Sequence, residues 1–251
     1  NYFVSAITRF QPNSFHRVQE RLPEVRFDLL PSALGGGFYH RFSASAAVLR
    51  EDPPLGGSTL RSDRLDAYYT LSRPITPRDW LAFTPLVGGR LTHYTNSDGG
   101  RARTGNYLRL LGEAGFDAAL RMSGTFDYQN PSWKINGLRH LLTPRLGYRY
   151  IPQADKGRAQ IPRIDREVFA TYLPLLGLDG VRSIDDLHAT NTLRLGFDNT
   201  LQTRDPGLGS RDLLVFNLAN DFRFKRRAGE RTVSEIHAEV AAMPARWLQF
   251  D

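Results

Sequence analysis

Arginines recur at alternate positions along apolar stretches of this chain: Arg26, Arg41, Arg121, Arg139, Arg145, Arg149, Arg194, Arg204 and Arg223, followed by Lys225. A guanidinium is a planar fork that donates two parallel hydrogen bonds, which suits a phosphate or a carboxylate. Two uses follow. Any one of these arginines can pair with an acid on a neighbouring strand, and Glu24, Asp28, Asp117, Asp127, Asp198 and Asp221 are placed for it. Taken together they can line a basic surface for an anionic substrate. Arg41, Arg121, Arg139, Arg145, Arg149, Arg194, Arg204 and Arg223 are the candidates for that surface.

Other chemistry finds little support. The histidines (His16, His40, His93, His140, His188, His237) show no H-x-x-x-H or H-E-x-x-H spacing, so no zinc site is expected. Gly35-Gly36-Gly37 and Gly56-Gly57 lack a following Lys-Ser/Thr and read as turns rather than phosphate loops. Ser123, Ser183 and Ser210 lack a G-x-S-x-G elbow. Asp179, Asp185 and Asp186 are either a cation site or, more simply, a solvated loop. Neither catalysis nor a cofactor is expected.

The elements that must position the arginines are strands. Over residues 138–150, Leu138, His140, Leu142, Pro144, Leu146, Tyr148 and Tyr150 fall on one face, and Arg139, Thr143, Arg145, Gly147 and Arg149 on the other. Over residues 191–204, Leu193, Leu195, Phe197 and Leu201 oppose Thr192, Arg194, Gly196, Asp198, Thr200, Gln202 and Arg204. Period-two alternation means a strand with one apolar and one wet face. These strands exceed the usual soluble length of about 5–6 residues and match the roughly 9–11 residues of a tilted membrane strand. Similar patterns at 1–11, 23–30, 36–50, 63–73, 80–94, 106–128, 212–225 and 232–242, with a further start at 246–251, predict an all-β fold. It is an antiparallel transmembrane β-barrel of the outer-membrane type, present as a partial barrel of about 10–11 strands. Arginine at Leu195 or Phe197 is expected to impair folding, and arginine at Thr192 or Thr200 to be accommodated. Pro144, inside a strong strand, predicts a bulge or a weakened seam.

The bulk properties fit. The net charge is +7, charged residues are 24% and mean hydropathy is −0.40. No run of about eighteen apolar residues exists, which excludes a transmembrane helix but not a barrel. The arginines are dispersed rather than blocked, which argues against nucleic acid. Absence of cysteine excludes disulfides and thiolate chemistry. The chain starts at Asn1, and its last residues read as the start of another strand, so it is expected to be a portion of a single barrel domain over residues 1–251.

Connections alternate between short turns (31–35, 74–79, 129–137, 205–211, 243–246) and longer loops (12–22, 51–62, 95–105, 152–190), with 226–231 the exception. Outer-membrane barrels have this asymmetry. Trp80, Trp133 and Trp247 all fall at the short-turn end, as an interfacial girdle would place them, and Tyr94, Tyr148 and Tyr150 could form the opposite girdle. The insert 152–190 has no alternation and carries an apolar run at 168–178. It is too apolar for simple disorder and is expected to fold over or into the barrel, with a short helical turn.

The segment from Gly137 to Pro152 resembles the LPS-assembly protein (LptD, organic solvent tolerance protein) family, whose barrel has a similar H-x-x-x-P-x-x-x-Y-x-Y-x-P strand, here His140, Pro144, Tyr148, Tyr150 and Pro152. Further matches keep the family order: Arg21-Leu22-Pro23-Glu24; Leu71-Ser72-Arg73-Pro74 with Thr84-Pro85 and Gly89-Arg90; Ile161-Pro162-Arg163-Ile164-Asp165; and Asn191-Thr192-Leu193-Arg194-Leu195-Gly196 with Leu201-Gln202. The segment from Gly177 to Arg182 matches more loosely, and the disulfides known in some members cannot form here. The resemblance implies a barrel in the outer membrane of a Gram-negative bacterium that delivers lipopolysaccharide to the outer leaflet. It implies a lipoprotein plug of the LptE type, and a periplasmic lipopolysaccharide bridge reached through an N-terminal jellyroll not contained in this sequence. The arginine-bearing face would then receive a phosphorylated glycolipid. Rival readings are a porin-like or adhesion barrel, a barrel phospholipase or protease, and a soluble glycan-binding sandwich.

Overall fold

The structure is a computed structural model and describes residues 1–13, 15, 17–52, 58–98, 105–154, 161–167, 173–226 and 229–250. Among these residues there are thirteen strands: β1 (Tyr2–Arg9), β2 (Glu20–Gly35), β3 (Phe38–Glu51), β4 (Leu60–Ser72), β5 (Ile75–Arg78), β6 (Leu81–Asp98), β7 (Gly105–Leu120), β8 (Met122–Asn130), β9 (Ile135–Ile151), β10 (Thr190–Asp205), β11 (Gly209–Arg223), β12 (His237–Ala245) and β13 (Leu248–Phe250). The expected helical turn is a 3-10 turn at Ile184–Asp186. No helix among the described residues is long and apolar enough to cross a membrane.

All thirteen strands belong to one sheet, ordered β1-β2-β3-β4-β6-β7-β9-β10-β11-β12-β13, with β5 paired to β6 and β8 to β9. That path runs over eleven strands, in line with the number expected. The described pairings are antiparallel. Two strands read as continuous are interrupted. β4 gives way to β5 at Arg73-Pro74, where proline offers no N–H to the ladder. β7 gives way to β8 at Arg121, whose N–H donates to the Trp80 carbonyl at 2.7 Å. The last long strand begins at His237 rather than Thr232. β9 runs unbroken through Pro144.

The chain divides into two compact units. The first comprises Asn1–Arg73, Pro85–Gly115 and Arg149–Thr190. Its strands are inverted relative to a water-soluble sheet. Glu24 and Asp28 of β2, Ser62, Arg64 and Asp66 of β4, Arg90 and Thr92 of β6, and Arg109 and Glu113 of β7 are buried. Their apolar neighbours are not: Leu65 is 56% and Leu110 68% exposed, and Val25, Val87, Leu91 and Leu108 are exposed with them. Leaving such a side chain in water forfeits about 1.5–3 kcal/mol. A sheet that does so row after row is built for hydrocarbon on that side. The β2–β3 connection is a glycine turn, Gly36 and Gly37 having φ of 60° and 77°, a region other residues rarely enter.

The second unit comprises Pro74–Thr84, Phe116–Tyr148 and Asn191–Asp251. It repeats the pattern: Phe126, Phe197, Leu214 and Val240 are exposed, whereas Thr192 and Asp221 are buried. Its hairpin turns hold all three tryptophans, each exposed. In the turn after β10, the Asp205 carboxylate accepts the N–H groups of Gly207 and Leu208, the side-chain turn that aspartate favours.

Candidate functional site

The buried face of the first unit is covered by the insert. Of residues 152–190, the structure describes 152–154, 161–167 and 173–190, so the first part of the apolar run expected at 168–178, residues 168–172, lies outside the described residues. The described part folds onto the sheet face, as expected. Three small apolar clusters seat it: Leu178 with Tyr68, Leu111 and Ile151; Ile164 with Ala47 and Leu49; and Ile161 with Tyr94 and Tyr107.

Between these clusters the contacts are charged. Arg64, 1% exposed, donates from one nitrogen to both Asp165 and Asp185, each at 3.0 Å. The Tyr94 hydroxyl donates to Asp185 at 3.0 Å, and the Tyr94 ring stacks with Tyr107 and lies under the Arg109 guanidinium. Arg109 donates to the Ile184 carbonyl at 2.7 Å. Arg90 forks onto Asp66 and turns its remaining nitrogen to the Leu178 and Gly180 carbonyls, each at 2.6 Å. The Glu113 carboxylate accepts the Tyr68 hydroxyl at 2.6 Å and the Leu178 N–H at 2.8 Å. Farther along, Arg166 forks onto buried Glu51, which Arg17 also contacts, and Arg21 bridges Glu24 and Asp165.

The insert is also tied to itself. The Asp185 carboxylate accepts the N–H groups of Ile164 (3.1 Å) and Asp165 (2.7 Å), and the Asp165 carboxylate accepts the Ser183 N–H at 3.0 Å. Asp186 takes a two-pronged contact from Arg163 and the Glu167 N–H. Burial pushes the Asp185 carboxyl above the ordinary carboxylate value, against the pull of Arg64. The hydrogen bond to the Asp186 carboxylate holds the Arg163 guanidinium above its usual value. Two glycines make room. A Cβ on Gly177 would meet Glu113 Oε2 at 2.9 Å, and one on Gly88 would meet the Tyr69 carbonyl at 2.8 Å. The arrangement is a rigid polar clasp that holds a loop against the sheet.

The arginines anticipated from sequence are distributed over both units. In the first, Arg41 lies 3.6 Å from Asp179, and Arg149 stands by Gly177. In the second, Arg194 forks onto its cross-strand partner Asp221 at 2.7 and 2.9 Å, Arg145 pairs with Asp198, and Arg223 donates to the Arg231 carbonyl at 3.2 Å. Arg139 is exposed opposite Thr125. Arg121 is exposed in the break between β7 and β8, so it belongs to no alternating row. The register shifts between Leu201 and Gln202, and Arg204 stands exposed between buried Thr203 and Asp205.

Four sequence expectations need correction. Asp185 and Asp186 are not solvated; they are buried acceptors for arginine and backbone donors. Tyr94 is not part of a second girdle, because it is fully buried on the charged face. Thr192, expected to face an open wet interior, is buried, at 5% exposure. The central arginines of the clasp, Arg64, Arg90 and Arg109, were absent from the candidates. Their signal was present: Ser62, Arg64, Asp66 and Tyr68, like Tyr107, Arg109, Leu111 and Glu113, occupy alternate positions. Several residues that carry the family resemblance, Arg21, Glu24, Arg90, Arg163 and Asp165, meet in this one network.

Sheet and site together define an outer-membrane type of barrel wall: antiparallel strands, apolar side chains exposed, charged side chains buried, and a long loop folded onto the charged face. Residues 4–250 match the family described as LPS transport system D (LptD). The chain is also similar to the LPS-assembly protein LptD of Paracidovorax citrulli (strain AAC00-1), with 29% identity over 232 residues, covering 88% of this chain and 26% of that protein. This chain belongs to the LptD family, and it spans about a quarter of the length of the relative it matches.

Proposed function

We propose that this chain forms part of the wall of an outer-membrane barrel in a Gram-negative bacterium, and that the barrel translocates lipopolysaccharide and inserts it into the outer leaflet. The observation that carries the reading is the inverted facing, buried arginines and acids beneath exposed Leu65, Leu91, Leu108 and Leu110, in a chain of the LptD family. Exposed apolar rows hold the wall in hydrocarbon, and the antiparallel ladder satisfies the backbone there. The charged face offers guanidinium donors to a phosphorylated headgroup. Arg41, Arg139, Arg145, Arg149, Arg194 and Arg223 are the candidates to meet that headgroup; Arg121, in the break between strands, and Arg204, turned to the other face by the register shift, are not. A lipoprotein plug of the LptE type and a periplasmic lipopolysaccharide bridge are the partners this function requires. The protein moves its substrate without chemical change, and the energy comes from outside this chain.

The test uses the full-length protein in its own membrane. Its depletion is expected to leave lipopolysaccharide short of the outer leaflet while small-solute uptake persists. Altered solute uptake with normal lipopolysaccharide export would instead favour a porin-like channel. Removal of residues 173–182 from the full-length protein is expected to lower export more than membrane insertion.

A further inference from the structure

We infer that the open edge of β8 is paired, over Met122–Phe126, by a further strand of the same full-length polypeptide, drawn from outside these 251 residues. The inference rests on the reading of the apolar face as membrane-exposed. β7 and β8 follow one another with a break at Arg121, yet their neighbours differ. β7 lies between β6 and β9, whereas β8 pairs with β9 alone among the described residues. The β5–β6 hairpin is the reason. Its turn, Asp79–Trp80, ends at the break, where the Trp80 carbonyl accepts the Arg121 N–H at 2.7 Å. Past that bond β6 is used up, and β8 runs on with one side open.

Backbone groups alternate in direction along a strand. The Arg121 N–H points to the β6 side, so those of Ser123 and Thr125 point to the open side. One face of this stretch is apolar: Met122 and Phe126 are exposed there, in register with Leu142 and Leu138 of β9. Such a face suits hydrocarbon, and hydrocarbon does not accept unpaired N–H and C=O groups. Water would satisfy the backbone but would leave Met122, Phe126 and Tyr128, all exposed, in contact with it. A further strand pairs the backbone and leaves the apolar face to the membrane. Nor is this edge blunted against pairing. Met122–Phe126 holds no charge, no proline and no bulge; Asp127 and the register shift come after it. A row of backbone donors and acceptors is matched by another extended backbone. The occupant is therefore a segment of about five residues that stops at the Trp80 turn, with apolar side chains beside Met122 and Phe126 and polar ones beside Ser123 and Thr125. A water-soluble partner cannot reach an edge within hydrocarbon. The chain covers 26% of the relative it matches, so a protein of that size has further chain to supply the strand.

In the full-length protein in its own membrane, Phe126 would be replaced by the photocrosslinking residue benzoylphenylalanine, which is close to it in shape, and the cross-linked peptides mapped by mass spectrometry. The expected product joins position 126 to a peptide from outside residues 1–251 and keeps the mass of a single chain on a denaturing gel. Its yield in the folded protein is expected to fall several-fold with Thr125→Pro, which removes an N–H from the open edge, and to be retained with Thr125→Val. An unchanged yield with Thr125→Pro overturns backbone pairing there, since an unpaired edge accommodates proline. A cross-link to another protein or to a second copy overturns the assigned occupant. Cross-links to lipid or to residues 1–251 alone overturn the added strand and leave the membrane facing intact. If Phe126→Cys then also reacts readily with a water-soluble maleimide, the membrane facing falls as well.

Discussion

Asp165 and Asp185 hold one another's backbone: the Asp185 N–H donates to the Asp165 carbonyl at 3.1 Å, and the Asp165 N–H returns to the Asp185 carboxylate at 2.7 Å. Two acids thus close the insert on itself, and one arginine, Arg64, anchors both to β4. Acids brought this close repel unless a cation and N–H donors surround them, and here both do.

Removing that cation is therefore expected to release the insert. Arg64→Ala leaves the buried Asp185 carboxylate without its cation and Asp165 with Arg21 alone, which costs about 3–5 kcal/mol. In the full-length protein the change is expected to speed proteolysis within residues 161–190. Arg64→Lys is expected to recover part of the loss, because both contacts come from a single nitrogen.

Gly88→Ala tests the close packing beside Glu113. Its new methyl group would meet the Tyr69 carbonyl at 2.8 Å and Glu113 Oε1 at 2.9 Å, whereas a Cβ on Gly112 meets nothing within 4 Å. Overpacking of this kind costs about 1–3 kcal/mol. Denaturant midpoints of the refolded protein are expected to fall for Gly88→Ala and to stay unchanged for Gly112→Ala.

Two ion pairs of the same chemistry are expected to differ in strength. Arg194–Asp221 is mostly buried, with side-chain exposures of 22% and 2%, whereas Arg145–Asp198 has 63% and 33%. Double-mutant cycles on unfolding are expected to give about 1.5–3 kcal/mol for the first, the range of charged hydrogen bonds, and about 0–1 kcal/mol for the second. Equal coupling energies would contradict the burial assigned to Asp221.

Facing can be tested on β10 alone. Phe197 is exposed, so Phe197→Arg puts a charge into hydrocarbon at a cost of about 2–4 kcal/mol near the bilayer midplane. Insertion into vesicles is expected to drop for this variant and to be retained by Thr200→Arg. Thr192→Arg is expected to fail for a different reason, since Thr192 is buried and a larger side chain there overpacks.

Much of the strand layout could be read in advance because alternation is a local property. Leu138 to Tyr150, with Leu141 the one apolar residue on the polar side, and Leu193 to Phe197 show it, and β9 and β10 form where it occurs. Turn positions were equally legible at Gly35-Gly36-Gly37 and at the three tryptophans. The interruptions at Arg73-Pro74 and Arg121 were less so: in each, one or two residues leave the ladder while the flanking pattern continues. The roles of Arg64, Arg90 and Arg109 were missed because a strand arginine looks the same whether it faces solvent, an acid on the next strand or a distant loop.

The amino-acid order by itself determined that this chain makes long antiparallel strands with one oily and one charged face, since period two is enforced residue by residue through the pleat. Only the tertiary structure decided what the charged face meets. Arg64 lies 101 residues from Asp165 and 121 from Asp185, and Arg90 lies 88 from Leu178. Contacts at such separations depend on which strands become neighbours and on how the insert returns to them, and no local pattern encodes that.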